Sequence, residues 1–312
     1  MLSICICTHN PKPELFARVI DAIARQSVTD FDVLVVDNAS TPAISEEILS
    51  PLRRIGVAAR IVREEKPGLI HARLCAIDAT ACDWMLCVDD DNVLAPDYLA
   101  KGLEFIAAHP NVAAFGGKLL LPQATRPPIG CRPFLPYLAV RDAGEKEMMG
   151  VSAKWEAWEP PAAGAFVARA MLEDFAAFVR THANSTALGR APGSFASCED
   201  SLLMHSAYRL GMATAYVPQL RLDHHVDPGR FAFSNLVRLM QGYGRSHVIL
   251  DALLRGPLET PRYYRTPAHL AFTTLVALAR NLFPSPAFGY ARARYHLAAA
   301  DAYRELERSL QH

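Results

Sequence analysis

Three consecutive carboxylates, Asp89, Asp90 and Asp91, close the apolar run Trp84-Met85-Leu86-Cys87-Val88. A run of that length and character predicts a buried strand, and the last residues of such a strand reach the edge of a parallel sheet where ligands of open α/β proteins bind. Three adjacent anions repel one another by roughly 1 kcal/mol or more per close pair unless a cation sits among them. Carboxylate oxygens are hard ligands, so Mg²⁺ or Mn²⁺, shared with substrate phosphates, suits them. The same triplet also fits a solvated acidic turn ahead of the helix that Pro96 begins. A second acidic pair, Glu199-Asp200, precedes a helical pattern over Ser201–Leu210. Acids there stabilise the helix dipole, and a general base at a helix start is rigidly held.

The elements that must position these groups alternate between strand and helix. Strand patterns cover Leu2–Cys7, Phe31–Val36, Ala58–Val62, Trp84–Val88 and Val112–Leu121, and helical patterns cover Pro13–Gln26, Leu69–Thr80 and Pro96–His109. In the first helix Leu15, Phe16, Val19, Ile20 and Ile23 share one face. Such alternation predicts right-handed βαβ units and a mainly parallel sheet covered by helices. Thr8-His9-Asn10, Asp37-Asn38 and the Asp triplet then emerge together at C-terminal strand ends. Asp37, Asn38 and Ser40 are also residue types that favour a plain turn. Residues 7–14 contain no glycine, so the dinucleotide fingerprint is missing after the first strand.

Composition sets the outer bounds. The 312 residues are 51% hydrophobic and 21% charged, which predicts a folded protein with ample core. Lys+Arg and Asp+Glu are each 32, so no basic field argues for nucleic acid. The seven cysteines have neither zinc spacing nor the pattern of a secreted framework, and they read as buried hydrophobes in a reducing compartment. Cys198 reads as a packed neighbour rather than a nucleophile. No basic and apolar leader opens the chain, and no run is long enough to span a bilayer. The expected location is cytoplasmic, with peripheral contact on the cytoplasmic membrane face as its variant.

The second half changes character. Residues 122–160 form a long proline-rich segment with Trp155 and Trp158 near its end, and residues 183–197 form a second irregular segment able to act as a lid. The two indoles suit a flat apolar wall for a ligand and equally suit covering a sheet. Beyond Phe231 the pattern is helical, broken at Pro257, Pro261, Pro267, Pro284 and Pro286. Leu270–Phe283 is apolar, with Arg262, Arg265, Arg280, Arg292, Arg294, Tyr263, Tyr264 and Tyr290 around it. That combination suits a membrane interface, and it also suits packing on the preceding domain or in a homodimer. The expected division is a catalytic domain over residues 1–227 and a helical C-terminal extension over 228–312.

In their order along the chain, Ile6-Cys7-Thr8-His9-Asn10, Val35-Val36-Asp37-Asn38-Ala39-Ser40, Gly68-Leu69-Ile70-His71-Ala72-Arg73, Val88-Asp89-Asp90-Asp91, Ala163-Gly164-Ala165-Phe166-Val167-Ala168-Arg169 and Cys198-Glu199-Asp200-Ser201-Leu202-Leu203 resemble the successive blocks of family-2 inverting glycosyltransferases of GT-A fold. The resemblance spans residues 1–227, with His9 standing where Tyr is common and Ser201 where many members differ. It implies a nucleotide-diphosphate sugar as donor, a glycan or lipid-linked acceptor, and Mn²⁺ or Mg²⁺. It implies that Thr8 and Asn10 line the nucleotide, that Asp37, beside Asn38, bonds the base, and that Arg73 approaches the diphosphate or nucleoside. Asp89, with Asp90, would face the ribose or sugar, and Asp91 would ligate the metal. Gly164, Trp155, Trp158 and Glu199 would lie toward the acceptor, and Asp200 would be the base. At Asp223-His224-His225 the family pattern leaves a short gap after a strand, which favours His225 over His224 as a further metal ligand.

Two other functions fit some of these residues. A nucleotidyltransferase also uses metal-bound carboxylates, but it would carry a Gly-rich basic loop that Thr8–Glu14 lacks. A non-catalytic sugar-nucleotide-binding subunit would have no use for both the Asp triplet and Glu199-Asp200.

Overall fold

The computed structural model describes residues 1–256, 259–281 and 285–309. The chain forms two compact units that interleave in sequence. The first comprises Met1–Gln123, Ala139–Thr181 and Asp200–His225, and the second Ala124–Leu138, His182–Glu199 and Val226–His312.

The first unit holds β1 (Leu2–Thr8), α1 (Pro13–Ala24), β2 (Asp32–Asn38), α2 (Ser50–Arg54), β3 (Ala58–Glu64), α3 (Leu69–Ala79), β4 (Trp84–Val88), β5 (Asn92–Leu94), α4 (Tyr98–Ala108), β6 (Val112–Leu120), β7 (Met148–Gly150), β8 (Phe166–Ala168), α5 (Arg169–Thr181), α6 (Glu199–Arg209) and β9 (Ala213–His224). The strands form one sheet in the order β3-β2-β1-β4-β8-β6-β9-β5, with β7 also on β9. β1, β2, β3 and β4 run parallel, as do β6 and β9, while β8, β5 and β7 pair antiparallel. The sheet is therefore mixed, and its long pairings are the parallel ones the strand–helix alternation predicts.

β1, β2 and β4 are buried almost throughout because helices cover both faces, which is why they read as unbroken apolar runs. α1 begins with Pro13, whose missing N–H costs nothing in a first turn, and buries Phe16, Val19, Ile20 and Ile23. The stacked rings of Phe115 (β6) and Phe166 (β8) lie 4.8 Å apart, with Tyr98 of α4 stacked 5.9 Å beyond Phe166. α4 starts at Tyr98, two residues past Pro96, and β5 precedes it unannounced because a three-residue strand is too short to show a period. The segment over 122–160 carries a 3₁₀ helix, Ile129–Leu138, as well as β7.

Gly164 fixes how β8 meets β4. Its φ is +72°, and a Cβ there would lie 2.4 Å from Leu222 and 2.7 Å from the Tyr98 hydroxyl. Its amide donates to the Cys87 carbonyl at 2.8 Å, and its own carbonyl accepts from the Tyr98 hydroxyl at 2.5 Å. Both the left-handed backbone and the close approach require glycine. Gly164→Ala is expected to lower unfolding stability by about 2–4 kcal/mol in denaturant melts. A loss below about 1 kcal/mol would mean that this turn relaxes readily.

The second unit is helical: 3₁₀ segments Ala183–Leu188 and Pro228–Phe231 accompany α7 (Phe233–Arg255), α8 (Arg262–Arg265), α9 (Pro267–Arg280) and α10 (Pro286–Ser309). Val248, Tyr264, Leu270, Ala299 and Tyr303 belong to its own apolar cluster. The apolar helix expected over Leu270–Phe283 is α9, and Phe283, Pro257 and Pro284 lie outside the described residues.

Candidate active site

Register brings the polar strand ends together. Thr8 pairs with Asp37 and Asp37 with Arg63, while Ile6 pairs with Val88, so the Asp triplet begins one step beyond the β1–β4 ladder. The Thr8 hydroxyl donates to the Asp90 carboxylate across that edge. Burial pushes the Asp90 carboxyl up to about 6; the Thr8 bond opposes the shift, and the neighbouring Asp91 and Asp89 charges add to it. Asn92 is fully buried behind the triplet, accepting from the Asp89 amide at 3.3 Å and donating to Asp91 at 3.0 Å. The carboxylates are thus held in a tight turn rather than free in solvent.

Asp37 and Asn38 are engaged with neighbouring backbone. Asp37 is buried and accepts from the amides of Ser40 at 3.0 Å and Ile44 at 3.1 Å and from Arg63 at 2.9 Å. Burial raises its carboxyl pKa, but these bonds outweigh that and leave it below its ordinary value. The Asn38 amide spans to the carbonyls of Glu64 and Lys66 and accepts from Gly68, fixing the entry to α3. Asn10, at φ +51°, accepts from the Thr41 amide, and its own amide donates to Ser40, so the loops after β1 and β2 are knitted together. Arg73 is buried and reaches the Cys87 sulfur at 3.4 Å, beneath the end of β4.

At the end of β9 the ring held against Asp91 is that of His224, the neighbour of the His225 favoured from sequence. His224 lies opposite Asn92 in the β5–β9 ladder, with Nε2 3.4 Å from Asp91 Oδ2 and only 3% of its side chain exposed. The His225 ring lies 3.4 Å from Arg18 and also feels the Asp91 charge, and its backbone amide donates to the Asp91 carbonyl at 2.9 Å. The β5–β9 register places His224, the last residue of β9, opposite Asn92 and beside Asp91, while His225 lies just past the strand end. The His224 Nδ1 approaches the Ala139 carbonyl at 3.2 Å. A carbonyl only accepts, so Nδ1 is the donor in that contact, and Nε2 is the ring nitrogen that faces the Asp91 carboxylate.

That pair fits a divalent cation: one hard oxygen donor and one imidazole whose far nitrogen is fixed by a carbonyl. Among the described residues no group of three or more His, Cys, Asp or Glu side chains converges on a point, so further ligands would come from substrate phosphates and water. The loop carrying Ala139 is itself anchored: Arg141 exchanges backbone bonds with Leu119, and Lys118 pairs with Asp142 at 3.0 Å and Glu145 at 2.5 Å.

Glu199 is buried and Asp200 half-buried in the first turn of α6, and Asp200 Oδ1 accepts from the Ser201 amide at 3.0 Å. Cys198, just before them, is buried with φ +75°. Trp158 packs over Gly150 of β7, whereas Trp155 is 67% exposed. Glu159 is a neighbour of Asp200 that sequence reasoning did not assign; it lies in an aperiodic segment, and no spacing signals it. Burial first, then the Asp200 charge, push its carboxyl up to about 8, against Arg141 and a hydrogen bond with Ser201. Arg141 donates to the carbonyls of Glu159 and Ala157 and fixes this segment.

A folded-state value raised from 4.5 to about 8 means that the native state holds the Glu159 proton. The associated stability is fully present below the unfolded value and is lost as pH rises through about 8. Thermal melts from pH 5 to 9 should therefore decline more steeply for the native sequence than for Glu159→Gln, by on the order of 2–4 kcal/mol across the range. Parallel curves would show that Glu159 ionises as freely in the native state as in the unfolded one.

Residues 3–127 match the family model described as Glycosyl transferase family 2. An uncharacterized glycosyltransferase of Haemophilus influenzae is 27% identical over 113 residues, 36% of this chain and 36% of its own length. A PGL/p-HBAD biosynthesis glycosyltransferase of Mycobacterium bovis is 32% identical over 124 residues, covering 38% of this chain and 47% of the relative. These matches span less than half of each relative. Among solved structures, a Pyrobaculum calidifontis mannosyltransferase in complex with GDP-Man and Mn²⁺ aligns over 97% of this chain and 86% of its own, with TM-score 0.57 and 19% identity. S. aureus TarS aligns over 99% of this chain and 55% of its own, with TM-score 0.52 and 17% identity. At such identities the likeness is one of fold.

Proposed function

We propose that this chain, whose residues 3–127 match the glycosyl transferase family 2 model, moves a sugar from a nucleoside-diphosphate donor to an acceptor hydroxyl with inversion, using a divalent cation. The observation that carries the reading is the Asp91–His224 pair at the C-terminal strand edge, with His224 Nδ1 on the Ala139 carbonyl. A carboxylate and an imidazole together favour Mn²⁺ over Mg²⁺, which prefers oxygen alone. When bound, such a cation offsets charge on a departing diphosphate.

The chain's own residues have separate tasks. Thr8 orients Asp90, and Asn10, Asp37 and Asn38 shape the loops that would receive the nucleoside. Arg73 supports the strand end from below, and Asp89 faces the donor. Inverting transfer is a single in-line displacement, so it needs one base opposite the leaving group and no covalent nucleophile. Asp200, rigid in the first turn of α6, takes that proton. Glu199, Gly164 and the two tryptophans belong to the acceptor side, where the hydroxyl comes from a glycan or a lipid-linked glycan.

The test is product analysis with Mn²⁺ and a panel of nucleoside-diphosphate sugars. Released nucleoside diphosphate and an inverted anomeric centre are expected. Pyrophosphate release would move the protein to nucleotidyl transfer, and a retained anomeric centre would remove the single-displacement mechanism.

A further inference from the structure

In the second unit, α9 turns its apolar face outward. Ala268, Ala271, Phe272, Leu275, Leu278 and Ala279 are all exposed and fall on one arc of the helix, with Phe272 at 68%, Leu275 at 62% and Leu278 at 37%. The opposite side buries Leu270 and Ala277. A helix on a water-facing surface is expected to be polar on its outer side, so this one has its pattern reversed.

The surroundings of that face are cationic. α9 contains no Asp or Glu and ends in Arg280, and α8 beside it contributes exposed Arg262 and Arg265. Arg265 is paired with Glu259 at 3.0 Å. Tyr263 is 51% exposed and adjoins α9 through the Thr273 hydroxyl, 3.4 Å from its carbonyl. The 14 residues of α9 make a rod of about 21 Å, and no described helix is long and apolar enough to cross a membrane. A two-fold pairing of α9 with a second copy, run antiparallel, would bring Arg280 against Arg262 and Arg265 of the other chain, like charge on like charge.

We infer that α9 docks the protein on an anionic lipid surface. It lies in the plane of the interface, with Phe272, Leu275 and Leu278 at the acyl boundary and Arg262, Arg265 and Arg280 at the phosphates. As a route to a lipid-linked acceptor this rests on the transferase reading, but the contact is measured without any sugar transfer, so the two fail separately.

The experiment is co-sedimentation of the full chain with phosphatidylcholine vesicles, alone or mixed equally with phosphatidylglycerol. The protein should pellet with the anionic vesicles and stay in solution with the neutral ones, and high salt should weaken the association. Phe272→Asp with Leu275→Asp should return it to the supernatant, with unchanged thermal melts because both side chains face outward. Arg262→Ala and Arg280→Ala should each weaken binding about fivefold. Undiminished pelleting of the double Asp variant overturns the inference, as does equal recovery in solution with both vesicle types. A dimer in light scattering that dissolves on the same double substitution, without vesicle binding, also overturns it and assigns the face to a second copy.

Discussion

Asp200→Asn is expected to lower sugar transfer by about 10²–10⁴-fold while leaving donor and cation affinity nearly intact, the usual loss when a positioned general base is removed. Asp200 sits in the first turn of α6 with one carboxylate oxygen on the Ser201 amide, and Asn preserves an acceptor there. The fold should survive, and the defect should fall on kcat rather than on donor binding. Single-turnover transfer and donor titration separate the two quantities. Near-normal transfer by the folded variant would pass the role to Glu199 or Glu159.

Loss of the cation pair should produce a different pattern. Asp91→Asn is expected to weaken nucleoside-diphosphate binding and turnover together, by about 10²-fold or more, and excess chelator should reproduce the defect until Mn²⁺ is restored. His224→Ala should move in the same direction, whereas His225→Ala should leave donor affinity close to normal, because the His225 ring faces Arg18. Full activity in excess chelator would sink the cation assignment. A larger defect at His225 than at His224 would reverse the choice between them.

The contrast between the two histidines marks where sequence stops informing. The parallel half of the sheet was legible because β1, β2 and β4 are buried on both faces, and doubly buried strands appear as apolar runs with polar residues at their ends. Thr8, Asp37 and Asp89 followed from those ends. Glu199 and Asp200 were legible as first-turn acids, and the structure begins α6 at Glu199. The contact of His224 with Asp91 was hidden because it depends on the β5–β9 register, and β5 is three residues long. Glu159 was hidden for another reason: its environment is made by Asp200, Arg141 and Ser201, all distant in sequence, and nothing local encodes it.

The position of β6 in the sheet has a consequence for how the chain is made. Both of its neighbours, β8 and β9, lie later in the sequence, whereas β1, β2, β3 and β4 pair among themselves. During synthesis the four-stranded parallel half can assemble as it leaves the ribosome, while Val112–Leu120 emerges with no partner. At roughly 5–20 residues per second, β8 follows after several seconds and β9 later still. Over that interval an apolar strand and the open edge of β4 are both exposed, the condition under which nascent chains associate wrongly. The Asp91–His224 pair forms only when β9 docks, so any cation affinity resting on it should arise as a late event in vectorial folding, after the loops that follow β1 and β2 have formed.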